Sequence, residues 1–303
     1  MNAVLILIKR NVKLFFKDKG MFFTSLITPL ILLVLYATFL SGIYRDAFLT
    51  ELPAGLTLSE DLIDGLVGGQ LISSILAVSC VTVAFCSNFL MVQDRANGSV
   101  KDLRISPVRP SRLALSYYAA TFISTMIICL TATAVCLTYI AVIGWYISFT
   151  DVLWLLLDVL LLVLFGTALS SVIAFFLSTQ GQISAVGTIV SAGYGFICGA
   201  YMPISSFGKG LQNAVALLPG TYGTALLRNH ATRGVLDELL SLGIPDAAID
   251  GIRDGIDANV YFFGMRVHES AMPFILVGAI AFLLGVYVLL NYIRSRKHVH
   301  GKG

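Results

Sequence analysis

One carboxylate stands inside a long apolar run: Asp158, in Leu155-Leu156-Leu157-Asp158-Val159-Leu160-Leu161. If that run crosses a bilayer, a charge at its centre costs about 2.5–3.5 kcal/mol, so the side chain must face protein or water. It is either a polar group on a pathway or packing contact, or a structural hydrogen bond made as the protonated acid. A proton relay needs at least two such groups in series, and the apolar runs hold only this one. The four histidines, His230, His268, His298 and His300, lie outside those runs. His298-Val299-His300, flanked by Lys297 and Lys302, reads as a solvated tail rather than a metal chelate. The five cysteines (Cys80, Cys86, Cys129, Cys136, Cys198) all fall within apolar runs without a Cys-x-x-Cys pair, and read as small buried side chains. Gly208-Lys209-Gly210 lacks the spacing and the hydroxyl of a phosphate-cradling loop, and there is no H-E-x-x-H. The expectation is a chain with no catalytic residue, no metal and no cofactor of its own.

Polar chemistry concentrates in two segments. The first runs from Val92 to Pro110 and contains Asp94, Arg95, Gly98, Ser99, Lys101, Asp102, Arg104, Ser106, Pro107 and Arg109. Asn97-Gly98 signals a turn, Ser99 with Asp102 resembles a capping box, and Pro107 sets a C-terminal limit, so a short basic helix is expected over Val100–Ile105. The second segment is Ala231–Glu269. Val235–Leu240 reads as a helix stopped by Gly243, and a weaker one comes after Pro245 with Ile249, Ile252 and Ile256 on one face. Its Asp246, Asp250 and Asp254 form an i,i+4 row, but not with the spacing of a calcium loop, so a small solvated cap is expected.

The elements that position these residues are dictated by composition. The 303 residues are 57% hydrophobic and 12% charged, with mean hydropathy +0.87 and net charge +3. Soluble chains carry roughly 25% charged residues, so this one cannot cover a water-soluble fold. A cytosolic enzyme, a secreted disulfide scaffold and a nucleic-acid binder are excluded. A spanning helix needs about 20 mostly apolar residues. Runs that qualify are Met21–Gly42, Leu66–Val92, Leu113–Trp145, Val152–Leu177, Ile183–Met202 and Met272–Ile293. Ile204–Leu218 is too short and too rich in Gly and Ser to span alone, and reads as a re-entrant half-helix buried in protein or lining a cavity.

The basic residues give the orientation. Lys9, Arg10, Lys13, Lys17 and Lys19 precede the first run; Arg95, Lys101, Arg104, Arg109 and Arg112 come after the second; Arg294, Arg296, Lys297 and Lys302 close the chain. These are fourteen of the twenty basic residues, and six spans with both termini cytoplasmic put all of them on one side. Asn2–Lys19 sets Leu5, Ile8, Val12, Phe15 and Phe16 against a Lys9, Lys13, Lys17 stripe, which describes an amphipathic helix on anionic lipid with Gly20 as elbow. No small-x-small cleavage site comes after the first run, so it is not expected to be a cleaved signal peptide. The expected layout is an all-α integral membrane protein. Residues 1–20 form the interface helix. Residues 21–293 form a six-helix domain holding the 93–112 loop and the 204–269 segment, and 294–303 form a cytoplasmic tail.

The loop residues Asp94, Arg95, Gly98, Ser99, Ser106, Pro107 and Arg109 match an acidic-Arg-x-x-Gly-[ST] element and a Ser-Pro-x-Arg beyond it. A second match is Leu218-Pro219-Gly220-Thr221-Tyr222 with Leu227-Arg228, where Leu218 replaces an Asn, preceded by Gly199-Ala200-Tyr201-Met202-Pro203-Ile204-Ser205. Together these resemble the permease subunits of type-2 ABC exporters over essentially the whole chain. Ala231–Glu269 is longer than in many such permeases.

The resemblance implies a permease that borrows ATP hydrolysis, with ATP and Mg held by a separate cytosolic ABC ATPase dimer. It implies that the ATPase dimer receives a coupling helix at Val100–Ile105, which includes Lys101, Asp102 and Arg104. A second permease chain, identical or sibling, would complete the path, and Ile204–Arg228, with Pro203, Pro219, Thr221, Tyr222 and Arg228, would form an extracellular gate. The apolar spans point to a hydrophobic or amphipathic substrate such as a drug, antibiotic, peptide or lipid-linked molecule. The alternatives are a lipid-linked polysaccharide or teichoic-acid precursor, or an ion-coupled secondary transporter using Asp158. The latter predicts ionisable clusters at mid-membrane and inverted repeats, of which the sequence gives no clear sign.

Overall fold

Inside a bilayer every backbone N–H and C=O must bond within the chain, and long apolar segments meet that demand as helices. The computed structural model describes residues 3–51, 59–100, 103 and 108–300, which are helical almost throughout. The elements are α1 (Ala3–Lys17), α2 (Lys19–Leu35), a π-helical turn (Tyr36–Leu40), α3 (Ser41–Glu51), α4 (Glu60–Ala96), α5 (Pro110–Ile143) and α6 (Phe149–Phe176). Next come α7 (Gln180–Ile197), α8 (Lys209–Ala216), α9 (Pro219–Ser241), α10 (Asp246–Gly255), a hairpin of β1 (Val260–Phe262) and β2 (Met265–Val267), and α11 (Met272–His300).

Five helical stretches among the described residues are long and apolar enough to cross a membrane: Lys19–Asp46, Glu60–Ala96, Pro110–Ile143, Phe149–Phe176 and Glu269–Arg294. The run expected as a fifth span is α7, which has 18 residues and begins Gln180-Gly181-Gln182, so it does not reach the apolarity of the others. Its start is nonetheless well made, since Thr179 and Gln182 form a capping box. Ser148 and Asp151 do the same for α6.

The bundle is built around α4, which is buried along its length and packs against α2, α5, α6, α7 and α9. Small residues allow these approaches. At Gly69 a Cβ would sit 2.8 Å from the Ala231 carbonyl oxygen of α9, and at Gly234 one would sit 1.7 Å from the Tyr146 carbonyl oxygen. Helix α9 is thus wedged into the bundle between α4, α6 and α11.

Two expectations about the N-terminus are corrected. The break between α1 and α2 falls at Asp18, not Gly20, because the Asp18 carboxylate accepts the Met21 N–H and caps α2, leaving Gly20 within the helix. The face of α1 turned to the bundle is Leu7, Asn11 and Phe15, whereas Leu5 and Phe16 are exposed. The helix therefore divides its apolar residues between the bundle and an exposed face.

In the 231–269 segment, Ile249, Ile252 and Ile256 are buried, and Asp254 and Asp250 are bonded to Tyr261 and Arg266 of the hairpin. The sequence motifs do not announce that hairpin. Its turn, Phe263-Gly264, takes positive φ at both residues (48° and 85°), the geometry that matches strand twist in two-residue loops.

Candidate functional site

Three groupings position the residues singled out by the sequence, and a fourth feature stands beside them. The first lies where α4 ends. Asp94 accepts from Arg10 Nη1 at 2.8 Å and from the Tyr117 hydroxyl at 2.6 Å, so a buried carboxylate joins α1, α4 and α5. The hydrogen bond to Asp94 holds the Arg10 guanidinium pKa above its ordinary value, against the opposing effect of burial. The neighbouring Arg95 donates to the carbonyls of Ala174, Phe175 and Leu177, at 2.8, 3.1 and 3.1 Å, and so satisfies the open C-terminal end of α6. Gly98 turns the chain at φ +81°, Ser99, Val100 and Leu103 are helical, and Arg109 is the exposed N-cap residue before Pro110. Val100 packs with Leu7, Leu113, Tyr117 and Leu177, with Leu103 against the same cluster. Lys101, Asp102, Arg104, Ser106 and Pro107 lie outside the described residues.

The second grouping is the α8–α9 turn. Pro219 occupies the first turn of α9, where its missing N–H costs nothing. Thr221 Oγ1 donates to the Val215 carbonyl at 2.9 Å and the Tyr222 hydroxyl to that of Ala216 at 2.7 Å. Both side chains therefore close the end of α8 and fix the angle of the hairpin.

Arg228 is the largest fully buried side chain of the described residues. Its Nη2 donates to the Gly199 carbonyl at 2.6 Å, and Nη1 lies 3.5 Å from Asp257 Oδ2. Asp257 also accepts from the Ile204 N–H at 2.7 Å and the Ser205 N–H at 3.2 Å, at the short 3-10 turn that Pro203 caps. Burial pushes the Asp257 carboxyl pKa up, against the pull of Arg228 and the two N–H groups. The sequence motifs single out Arg228 but not Asp257, which is one aspartate among several in a polar segment.

The third grouping gives Asp158 a hydrogen-bond partner from outside the apolar runs. His230 is buried in α9, and its Nδ1 lies 2.5 Å from Asp158 Oδ2. Its Nε2 is 3.6 Å from Glu269 Oε1, and Arg233 joins Glu269 at 2.7 Å to Asp151 at 3.2 Å. Trp154 stacks on the imidazole at 5.6 Å. The polar run Arg228–Arg233 conceals this in a hydropathy profile, because α9 is buried by packing and not by hydropathy.

The fourth feature has no counterpart among the sequence motifs. A cavity of about 1260 Å³ lies between the α2–α3 helix, α4 and α7. Its walls include Ile27, Ile31, Phe39, Phe89, Ala192 and Phe196, with Tyr44, Tyr201 and Pro203 at one end. Among the described residues no group of three His, Cys, Asp or Glu side chains is placed to hold a metal.

The arrangement defines a multi-pass, predominantly helical membrane protein whose buried polar groups join helices to one another. Residues 2–230 match the family model described as ABC-2 type transporter, and the chain belongs to that family: it is a permease. No curated protein matches the chain.

Proposed function

We propose that the chain is the membrane subunit of an exporter that moves a hydrophobic or amphipathic substrate outward across the cytoplasmic membrane, driven by ATP hydrolysed on a separate ABC ATPase dimer. The observation that carries the substrate class is the apolar cavity, which is large enough for a drug-sized or acyl-bearing molecule and is walled mainly by aliphatic and aromatic side chains. The 93–112 loop is the docking element for the ATPase, with Lys101 and Arg104 supplying its positive charge. Its packing on α1 and its link to α6 through Arg95 support that role, because a push on the loop would move three helices together. A second permease chain completes the path. The α8–α9 hairpin acts as a re-entrant outer gate, α7 serves as the sixth crossing, and both termini are cytoplasmic.

An ion-coupled carrier is the second reading, and the Asp158–His230–Glu269 cluster is the feature that favours it. One experiment separates the two. Inverted vesicles containing the permease and its ATPase should accumulate the lipophilic dye Hoechst 33342 only with hydrolysable ATP, and Ala192→Trp, which narrows the cavity, should reduce accumulation. The permease purified free of ATPase should hydrolyse no ATP. Accumulation driven by a proton or sodium gradient without ATP would overturn the exporter reading in favour of the carrier.

A further inference from the structure

The β1–β2 hairpin has an apolar face that is only half covered. Side chains two apart on a strand point the same way, so the Val260–Val267 pair shares a face with Phe262 and Met265. At the base of the hairpin that face packs against Tyr222, Ala225 and Leu226 of α9 and against Met272, the first residue of α11. The next pair, Phe262 and Met265, overhangs this cluster and is exposed, Met265 at 69%. The polar groups of the opposite face are already committed, the Tyr261 hydroxyl to Asp254 at 2.9 Å and Arg266 to Asp250 at 3.2 Å. At the turn, where positive φ favours Asn, Asp or Gly, Phe263 takes φ 48° with its side chain 57% exposed. Phe262 and Phe263 meet edge to face at 4.9 Å, yet that contact leaves both rings exposed. No burial among the described residues offsets the strain of an aromatic turn, which points to a surface outside the chain.

The last span sets the level of the hairpin. Glu269–Arg294 has 26 residues and is apolar enough to cross a membrane. At 1.5 Å per residue it is about 39 Å long, against about 30 Å of hydrocarbon and about 40–45 Å with both headgroup layers. Its first residues therefore stand in a headgroup layer, and the hairpin base, packed on Met272, stands there with them. Phe262 and Met265 lie two residues further along the strands, about 7 Å, which is the thickness of one such layer. Other exposed apolar residues continue the surface: Phe274 in the first turn of α11, 78% exposed, and Leu217 and Leu218 at the α8–α9 turn.

We propose that Phe262, Phe263 and Met265 form a wedge seated in the lipid headgroup layer at the N-terminal end of α11. Apolar and aromatic side chains bury about 5–10 Å into the headgroup and acyl boundary when they lie at a bilayer surface. Lipid is the partner because the patch is continuous with the exposed side of a spanning helix. The one cation at the tip, Arg266, is held by Asp250, so the wedge recognises the bilayer by its apolar surface and not by headgroup charge. Seating the tip would hold the 231–269 segment against the membrane beside the α8–α9 turn, whose Tyr222 belongs to the cluster under the hairpin. The inference is independent of the substrate and of the ATPase.

The test uses the full chain in phosphatidylcholine nanodiscs, with an environment-sensitive fluorophore on Met265→Cys or, as a control, on Asp246→Cys at the exposed start of α10. The labelled native protein, whose cysteines are buried or half-buried, supplies the blank. Phosphatidylcholine carrying a nitroxide on its headgroup should quench the label at 265 about threefold more than the label at 246, and aqueous iodide should do the reverse. Phe262→Ser with Phe263→Asn removes the wedge and gives the turn a residue suited to positive φ. In that background the nitroxide quenching at 265 should fall by about half or more, with the melting temperature in detergent unchanged. Iodide quenching as strong at 265 as at 246 overturns the proposal, since the tip then stands in water. Shielding of the 265 label from both quenchers also overturns it, because protein and not lipid then covers the tip. So does nitroxide quenching that survives the double substitution, which would mean that the aromatic pair does not seat the hairpin.

Discussion

Arg10 and Asp94 lie 84 positions apart in the chain, yet their side chains meet at 2.8 Å, so α1 is fastened to α4, the helix that leads into the 93–112 loop. The Tyr117 hydroxyl shares the same carboxylate oxygen. Asp94→Ala removes the acceptor and leaves a guanidinium and a phenol without it. Because Arg10 is about a third exposed, solvent softens the loss, and we expect about 1–2 kcal/mol of destabilisation. Arg10→Ala should cost a similar amount, and the double substitution should cost less than the sum. Thermal unfolding of the four proteins in one detergent gives the coupling energy. Strict additivity would mean that the contact does not join the two helices.

The Asp158–His230 pair separates a structural from a transport role. Asp158→Asn keeps a hydrogen-bonding group opposite the imidazole, so a packing contact predicts near-normal transport and a small change in stability. Asp158→Leu leaves His230 buried without that partner and should cost about 1–3 kcal/mol. Complete loss of transport in a well-folded Asp158→Asn protein would instead put the carboxylate on the substrate or ion path. Melting temperature and vesicle transport measured on the same preparations decide between these outcomes.

Much of this architecture is legible from hydropathy, because lipid leaves the chain few options. The runs at Leu66–Val92 and Leu113–Trp145 lie within α4 and α5 almost residue for residue. The features that hydropathy misses are set by packing. His230 sits in a stretch that reads as polar, and only the bundle around α9 makes it a buried partner for Asp158. Asp257 is distinguished from Asp246, Asp250 and Asp254 only by the fold that brings it to Arg228. The Tyr36–Leu40 π turn and the Phe263-Gly264 hairpin carry no strong local signal, the first because one inserted residue leaves the apolar run intact, the second because Phe is not a customary residue at positive φ.

Gly199 offers a test of the Arg228–Asp257 lock without touching either charge. Its φ is +68°, and a Cβ there would lie 2.7 Å from Asp257 Oδ2. Gly199→Ala therefore meets both backbone strain and a clash, together about 1–3 kcal/mol. If the 198–205 turn is the anchor of the outer hairpin, transport should fall with the melting temperature. Proteolysis should speed up within 198–216 and not at the 93–112 loop. An unchanged digestion pattern would show that the hairpin is held by other contacts.

The last prediction concerns the loop after α4. Asp94 and Arg95 hold its root to α1, α5 and α6, and Gly98 turns it away from α4. Val100 and Leu103 turn inward to the cluster around Leu7 and Leu113, which packs the described part of the loop against the bundle. Charge reversal by Lys101→Glu with Arg104→Glu should weaken docking of the ATPase, provided that its receiving surface is acidic. A contact buried from water would cost about 2–5 kcal/mol on losing one partner, whereas a contact at the rim would cost far less. The size of the effect thus reports how deeply the loop inserts. Insertion should be unaffected, because the basic residues around α1 and at the C-terminus still set the topology. Co-purification with the ATPase and substrate-stimulated hydrolysis, compared with wild type, are the two measurements. A double variant that copurifies and couples normally would show that the loop is not the docking element, and the push on α1 and α6 would then have to enter elsewhere.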